Sequence, residues 1–211
     1  MDSGDRPLRK ISEAFNEIAN SINSHHQNPN PNQQLDLELA SFSRACSLVS
    51  ALFGCLGIAF KFAEMDYVAK VNDLCEASKS ILTLQSMIEK DIEQNCVRKP
   101  GSHTRNLLKV KRGLDMIRVL FEQILLSDEN SLKNPASMAY EQVLSPYHGW
   151  AVQKAVGAGM YTLPSKQKLV QKLNEDEASV RREMQNYVSA SAFVIVHIDK
   201  LFQSLELGID W

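Results

Sequence analysis

Apolar residues recur at steps of three and four along most of this chain, which is the period of an amphipathic helix. The first such block places five of them on one face: Leu8, Ile11, Phe15, Ile18 and Ile22. The chain's seven prolines fall at a few junctions: Pro7, Pro29, Pro31, Pro100, Pro135, Pro146 and Pro164. Because proline disrupts a helix interior and is tolerated at its edges, these junctions mark the ends of helical blocks.

The blocks between the junctions predict helices of unequal length. Helices are expected over 8–24, over two or three segments of 35–95, and over 102–126, 135–144, 147–160 and 175–207. Breaks are expected near Gly54–Gly57 and Ala77–Lys79, and Ser102 or Thr104 is expected to cap the helix that follows. The polar segment His25–Gln34 predicts a loop. Few windows alternate as a half-buried strand does, so the predicted fold class is all-α, with about eight helices.

Length, charge and cysteine usage narrow the class of protein. The 211 residues, 44% of them apolar, are enough for one core, so we predict a single domain over 1–211. A formal net charge of −2 argues against a protein held to nucleic acid by its overall charge. The longest uncharged stretch that is mainly apolar, Ala45–Phe60, is shorter than the roughly 20 apolar residues of a spanning helix, which predicts a buried core helix. Met1–Lys10 has no apolar signal stretch and the four cysteines form no CxxC pair, which favours a cytoplasmic protein with reduced, mostly buried thiols.

Motifs of common catalytic sites are absent from the sequence. It contains no GxxxxGK[ST], HExxH or GxSxG, and Gly157-Ala158-Gly159 lacks the third glycine of a dinucleotide-binding loop. A catalytic triad stays open at this point, because its members are assembled in space. We expect a protein that is not an enzyme and that uses no metal and no cofactor.

One stretch, from Gln94 to Leu114, is strongly basic. It contains no acidic residue and six cations: Arg98, Lys99, Arg105, Lys109, Lys111 and Arg112. On a helix, Arg105, Lys109 and Arg112 fall within a wedge of roughly 60°. Apolar residues cover the other sides of the same helix, which predicts a buried helix with cations at one end.

The basic end of this helix, next to apolar surface, suits a ligand with an anionic head group and an apolar tail. The alternative interpretation is a basic face that only contacts solvent. No aromatic residue lies between Arg98 and Arg112, which argues against a single-stranded nucleic-acid site.

Two further segments contain candidate binding residues. FKFAEMDYVAK, at 60–70, places Asp66 and Lys70 one helical turn apart, although an ordinary exposed pair has the same spacing. SPYHGW, at 145–150, is a proline-started turn with His148 and Trp150, although a packed helix start has the same composition.

Together, FKFAEMDYVAK, GSHTRNLLKVKRGLD and the PYHGW turn resemble the glycolipid transfer protein family, in particular its plant accelerated-cell-death branch. The resemblance runs from about Leu8 to Trp211. It implies a two-layer, all-α sandwich that encloses the hydrocarbon chains of a sphingolipid, with the head group at the pocket mouth. It also implies transfer of ceramide-1-phosphate, and a part in programmed cell death.

The resemblance implies a role for each site residue. Asp66 would accept hydrogen bonds from the ceramide amide and hydroxyl, and His148 would donate to the acyl carbonyl. Lys70, Arg105 and Arg112 would surround the head group. Trp150 would touch the membrane.

Lys109 discriminates between head groups. The sugar-binding branch has tryptophan at this position and the phosphate branch has arginine, so lysine favours a phosphate, without the planar fork of arginine. We therefore expect a monomeric, cytoplasmic carrier of ceramide-1-phosphate that contacts membranes transiently and binds no nucleic acid. The alternatives are a neutral glycosphingolipid carrier, a lipid-sensing scaffold that regulates a partner, and a lipid-modifying enzyme.

Overall fold

The computed structural model describes residues 6–27, 37–57 and 60–211, and for 25–27 it describes the main chain alone. Within these ranges the chain forms nine α-helices, as the spacing of apolar residues by three and four indicates. The helices are α1 (Pro7–Gln27), α2 (Leu39–Leu56), α3 (Lys61–Ala77), α4 (Leu84–Glu93), α5 (His103–Leu126), α6 (Lys133–Val143), α7 (Trp150–Gly159), α8 (Lys166–Lys172) and α9 (Glu177–Ser204). Short 3₁₀ turns flank α7, at Ser145–Tyr147 and Met160–Thr162. These ranges contain no strand, and the all-α prediction is confirmed.

Three local differences separate the structure from the sequence-based boundaries. Helix α1 continues through Gln27, so the loop predicted at His25–Gln34 is wrong for its first three residues, and 28–34 lie outside the described ranges. Helix α7 begins at Trp150, because the residues before it form the 3₁₀ turn. Helix α8 was not predicted: it has seven residues and buries only Leu169, which is too short for a periodic signal.

Side-chain caps mark the start of four helices, α4, α5, α8 and α9. The Ser102 hydroxyl accepts from the Arg105 N–H at 3.2 Å, so Ser102 rather than Thr104 caps α5. The Asp176 carboxylate accepts from the Ser179 N–H at 2.8 Å at the start of α9. Such a cap contributes about 1 kcal/mol.

The five longest helices contact one another in a closed order, α1–α2–α3–α5–α9 and back to α1, around one core. Helix α5 is central, since it also contacts α4 and α6 and buries apolar residues on most of its sides. Tyr187 of α9 lies at the centre, with edge-to-face contacts to Phe15 at 5.2 Å and Phe121 at 5.5 Å between ring centroids. Each such aromatic pair contributes about 1 kcal/mol beyond the area it buries.

A buried polar contact also joins α1 and α9. The Ser12 hydroxyl donates to the Glu183 carboxylate, which accepts a second bond from Asn186 at 3.2 Å. Burial raises the pKa of Glu183, but these hydrogen bonds and nearby Arg182 lower it more, so the pKa lies below the ordinary 4.5. The carboxylate is therefore stabilised in its charged form.

Helix α2 is the one helix in the described ranges that is long and apolar enough to cross a membrane by composition. In the structure 44% of that window is buried, and Phe42, Cys46 and Val49 pack into the core. The helix ends at Leu56, where Gly57 takes a φ of 107°. Cys46 and Cys55 are buried, as predicted, whereas Cys75 and Cys96 are half-buried, and all four are free thiols.

Candidate functional site

A close approach between α3 and α5 sets the position of the site. A Cβ atom at Gly113 would lie 3.0 Å from Cδ2 of the Tyr67 ring, so the absence of a side chain lets the two helices pack together. Tyr67 is buried, and its hydroxyl donates to the main-chain oxygen of Cys46 at 3.0 Å. The ring is thus held between α2 and α5, and the neighbouring Asp66 on α3 lies beside the cations of α5.

Asp66 and Lys70 form an ion pair one turn apart on α3. The Lys70 ammonium also donates to the main-chain oxygen of Asp66 at 3.2 Å. The lysine side chain is 11% exposed and the aspartate side chain 71% exposed, so the carboxylate faces outward. An i,i+4 pair contributes only a few tenths of a kcal/mol to a helix, so the carboxylate can rearrange around a ligand at little cost.

The cations of α5 lie on two different sides of the helix. Arg105 is half-buried, Lys109 is exposed and Arg112 is 8% exposed. Lys111 lies on the core side, where its ammonium binds Asp199 of α9. Lys111 therefore belongs to the α5–α9 contact, while the other three residues share the side near α3.

Lys70, Arg105, Lys109 and Arg112, here named the cation cluster, are close enough to perturb one another. Burial lowers the pKa of Lys109, and the other three cations lower it further, against an opposing effect of Asp66. Asp66 acts on Lys109 and Asp210 acts on Arg112, so two carboxylates accompany four cations, and the cluster in the free protein is short of negative charge.

His148 lies beside this cluster, after the 3₁₀ turn. Its Nδ1 is 2.9 Å from the Tyr140 hydroxyl of α6. Burial lowers the pKa of His148 below the ordinary 6.5; Asp66 opposes this effect, while Lys109 and Arg112 add to it. The imidazole is therefore neutral at pH 7.

The turn before α7 is fixed by two kinds of contact. The Gln153 side-chain amide donates to the main-chain oxygens of Ser145 and His148, both at 2.9 Å. The guanidinium carbon of Arg112 lies 3.4 Å from the centroid of the Tyr147 ring, a cation–π contact. The turn thereby joins His148 to the cation cluster.

Trp150 begins α7 and is 73% exposed. None of the ten residues of α7 is buried, although most of them are apolar. On α3, Phe62 is 84% exposed and lies one turn before Asp66. Exposed aromatic residues therefore occur on two helices that contribute to the site.

The structure brings together the six residues that the sequence placed at the head group, and it leaves Trp150 exposed on the adjoining helix. Sequence reasoning missed Gly113, Tyr140 and Tyr147. Tyr147 lay within the quoted turn, and the glycine within KVKRGLD was a visible signal of close helix packing. Tyr140 had no local signal, because its partner lies in another element.

The chain is similar to proteins of known name and structure. A family model described as glycolipid transfer protein matches residues 37–175. The accelerated cell death 11 protein of Arabidopsis thaliana is 61% identical over 208 residues, which are 98% of this chain and 97% of that protein. The ceramide-1-phosphate transfer protein of Danio rerio is 31% identical, over 56% of this chain and 62% of that protein. The glycolipid transfer protein of the same species is 30% identical, over 66% of this chain and 72% of that protein. General likeness to these distant relatives therefore does not distinguish a phosphate from a sugar head group.

One solved structure is similar to this chain in both sequence and fold. It is the crystal structure of an aspartate-to-asparagine variant of the Arabidopsis accelerated-cell-death 11 protein in complex with C12 ceramide-1-phosphate. It is 59% identical to this chain, superposes with a TM-score of 0.93, and covers 99% of this chain and 100% of the solved one.

Proposed function

Since this chain belongs to the glycolipid transfer protein family, we propose that it carries ceramide-1-phosphate between membranes and makes or breaks no covalent bond. The observation that carries this proposal is the cation cluster, whose four cations outnumber the two carboxylates that act on them, Asp66 and Asp210. The similar Arabidopsis protein crystallised with ceramide-1-phosphate supports the same lipid.

The phosphate is held by the cation cluster. Hydrogen bonds from ammonium and guanidinium groups to phosphate are charge-assisted and roughly twice as strong as neutral ones. The lowered pKa of Lys109 reflects burial and mutual repulsion among the cations in the free protein. A phosphate dianion relieves that repulsion, whereas a neutral sugar leaves it in place and finds no aromatic ring at position 109.

The ceramide amide is held by Asp66 and His148. The Asp66 carboxylate accepts from the amide N–H and the hydroxyl, groups that a diacylglycerol phosphate lacks. Burial raises the pKa of Tyr140, so its hydroxyl keeps its proton, and it lies 2.9 Å from Nδ1 of His148. With the imidazole proton on Nε2, the hydroxyl donates to Nδ1 and Nε2 donates to the acyl carbonyl.

The hydrocarbon chains enter the apolar interior next to the head group. Because α7 buries no side chain, its displacement exposes little of the core and costs little free energy. Each CH₂ group of the chains that the protein buries stabilises the bound lipid by about 0.8 kcal/mol, but the bilayer buries the same groups. The free energy of moving the lipid between protein and membrane is therefore close to zero. We propose that the protein is a cytoplasmic monomer that docks transiently through Trp150 and the exposed face of α7.

Transfer of fluorescent ceramide-1-phosphate between vesicles tests this proposal. Arg105→Leu and Asp66→Asn should slow transfer at least about tenfold, the effect of losing one charge-assisted bond. Lys79→Ala is the matched control, since Lys79 is a largely exposed lysine just after α3 that pairs with Glu76.

Folded Arg105 and Asp66 variants that transfer at the parental rate would contradict the proposal. Recovery of chemically altered lipid would support an enzyme instead. Bound lipid without movement between vesicles would support a lipid sensor.

A further inference from the structure

After α9 ends, residues 205–211, here named the closing segment, turn back to the cation cluster. Gly208 has a φ of 66°, a conformation that favours glycine and allows the reversal. Beyond it, Nη2 of Arg112 donates to the main-chain oxygens of Ile209 at 2.6 Å and Trp211 at 2.9 Å. The closing segment therefore holds one cation of the cluster by two hydrogen bonds.

The Trp211 ring anchors the closing segment. Its indole N–H lies 3.1 Å from the main-chain oxygens of Leu207 and Gly208, and its ring centroid lies 6.5 Å from that of Phe202. The guanidinium carbon of Arg98 lies 5.3 Å from the Trp211 ring centroid, and its Nη2 donates to the Leu207 oxygen at 3.1 Å. The ring is thus fixed to the end of α9 on one side and to the loop before α5 on the other.

Arg98 extends this contact to a second cation of the cluster. Its main-chain oxygen accepts from Nη1 of Arg105 at 3.3 Å. The closing segment therefore contacts Arg112 directly and Arg105 through Arg98. On its other side Arg112 lies against the Tyr147 ring, and the closing segment uses two of its five N–H donors.

We propose that Trp211 is a positioning residue, which holds the closing segment against Arg112 and thereby sets the preference of the site for a phosphate head group. This inference rests on the proposed function. Arg112 is 8% exposed, and a buried cation needs acceptors whether or not lipid is bound. The two main-chain oxygens meet that need in the free protein and keep the guanidinium oriented. A guanidinium that is already oriented loses less conformational freedom when phosphate binds.

Equilibrium partition of fluorescent ceramide-1-phosphate from vesicles to protein tests the effect on binding. Trp211→Ala should lower the affinity about tenfold, because Arg112 loses a charge-assisted contact with the phosphate. Trp211→Phe keeps a ring beneath Arg98 and should lower the affinity by about threefold or less. Phe193→Ala removes a half-exposed ring on the outer face of α9 and should change nothing.

A titration of His148 by NMR, in the lipid-free protein, separates positioning from general damage. Arg112 lowers the pKa of His148, so Trp211→Ala should raise this pKa while Phe193→Ala leaves it unchanged. An unchanged affinity in Trp211→Ala would overturn the inference. A lower affinity with an unchanged His148 pKa would also overturn it, because Trp211 would then act elsewhere.

Two further experiments cover an unfolded variant and a protein that binds no lipid. If Trp211→Ala does not fold, as judged by circular dichroism, Arg98→Met takes its place, because it removes the cation–π contact and the bond to Leu207. Should the parent protein bind no ceramide-1-phosphate, the proposed function fails. The His148 titration still tests whether Trp211 positions Arg112.

Discussion

Replacement of Lys109 by alanine should separate ligand binding from fold stability. Lys109 is exposed and makes its electrostatic contacts within the cation cluster. A charge-assisted bond to phosphate at a partly exposed position is at the low end of 1.5–3 kcal/mol, about 1.5 kcal/mol. Such a loss corresponds to about a tenfold weaker affinity for ceramide-1-phosphate.

Stability should change in the opposite direction. The folded protein lowers the pKa of Lys109, which means that it disfavours the charged form. At pH 7 the charge therefore costs stability, and the cost decreases as the pH rises above the lowered pKa and is gone above the ordinary value of 10.5. Lys109→Ala should melt at or slightly above the parental temperature at pH 7, and the two proteins should converge at alkaline pH.

The assay combines vesicle partition with thermal unfolding. Lys109→Arg should bind ceramide-1-phosphate as tightly as the parent or more tightly, because guanidinium grips phosphate with two parallel bonds. Lys79→Ala should leave both quantities unchanged, since its pair with Glu76 is largely exposed. Parental affinity in Lys109→Ala would refute the assignment of this lysine to the head group. A clearly lower melting temperature would refute the electrostatic reasoning.

Three further predictions concern the scaffold and the electrostatics of the site. Gly113→Ala gains about 1 kcal/mol of helix propensity but presses on the Tyr67 ring, which costs about 1–3 kcal/mol, so it should lower the unfolding free energy in urea. Asp66→Asn should lower the pKa of His148 measured by NMR, because the carboxylate raises it, and a rise would contradict the described geometry. Glu183→Gln should cost about 1 kcal/mol at pH 7. The lowered pKa of Glu183 gives stability that is present above pH 4.5 and lost as the pH falls, so this variant should show a flatter dependence of unfolding on pH between 5 and 3.

The sequence predicted those parts of the structure whose signals are local. Periodicity and proline positions located the long helices, and the cap at Ser102 follows from residue type alone. The wedge of Arg105, Lys109 and Arg112 follows from helical geometry, which also separates Lys111 from it. Resemblance to a family then joined this wedge to the residues of α3 and of the turn before α7.

What the sequence could not supply are contacts between distant segments. Arg112 and Trp211 are 99 positions apart, and no periodic pattern relates them. The bond between Tyr140 and His148 depends on how α6 is placed against the 3₁₀ turn. These contacts arise from tertiary packing, and they determine the surroundings of His148 and the orientation of Arg112 rather than which residues form the site.

The most direct test of the central claim compares two lipids that share a ceramide and differ in head group. Transfer between vesicles is measured for fluorescent ceramide-1-phosphate and for fluorescent galactosylceramide, with the unaltered protein and matched vesicles. The excess of positive charge in the cation cluster predicts rapid transfer of the phosphate lipid and slow transfer of the sugar lipid. Equal or faster transfer of galactosylceramide would mean that the cation cluster is not the head-group site.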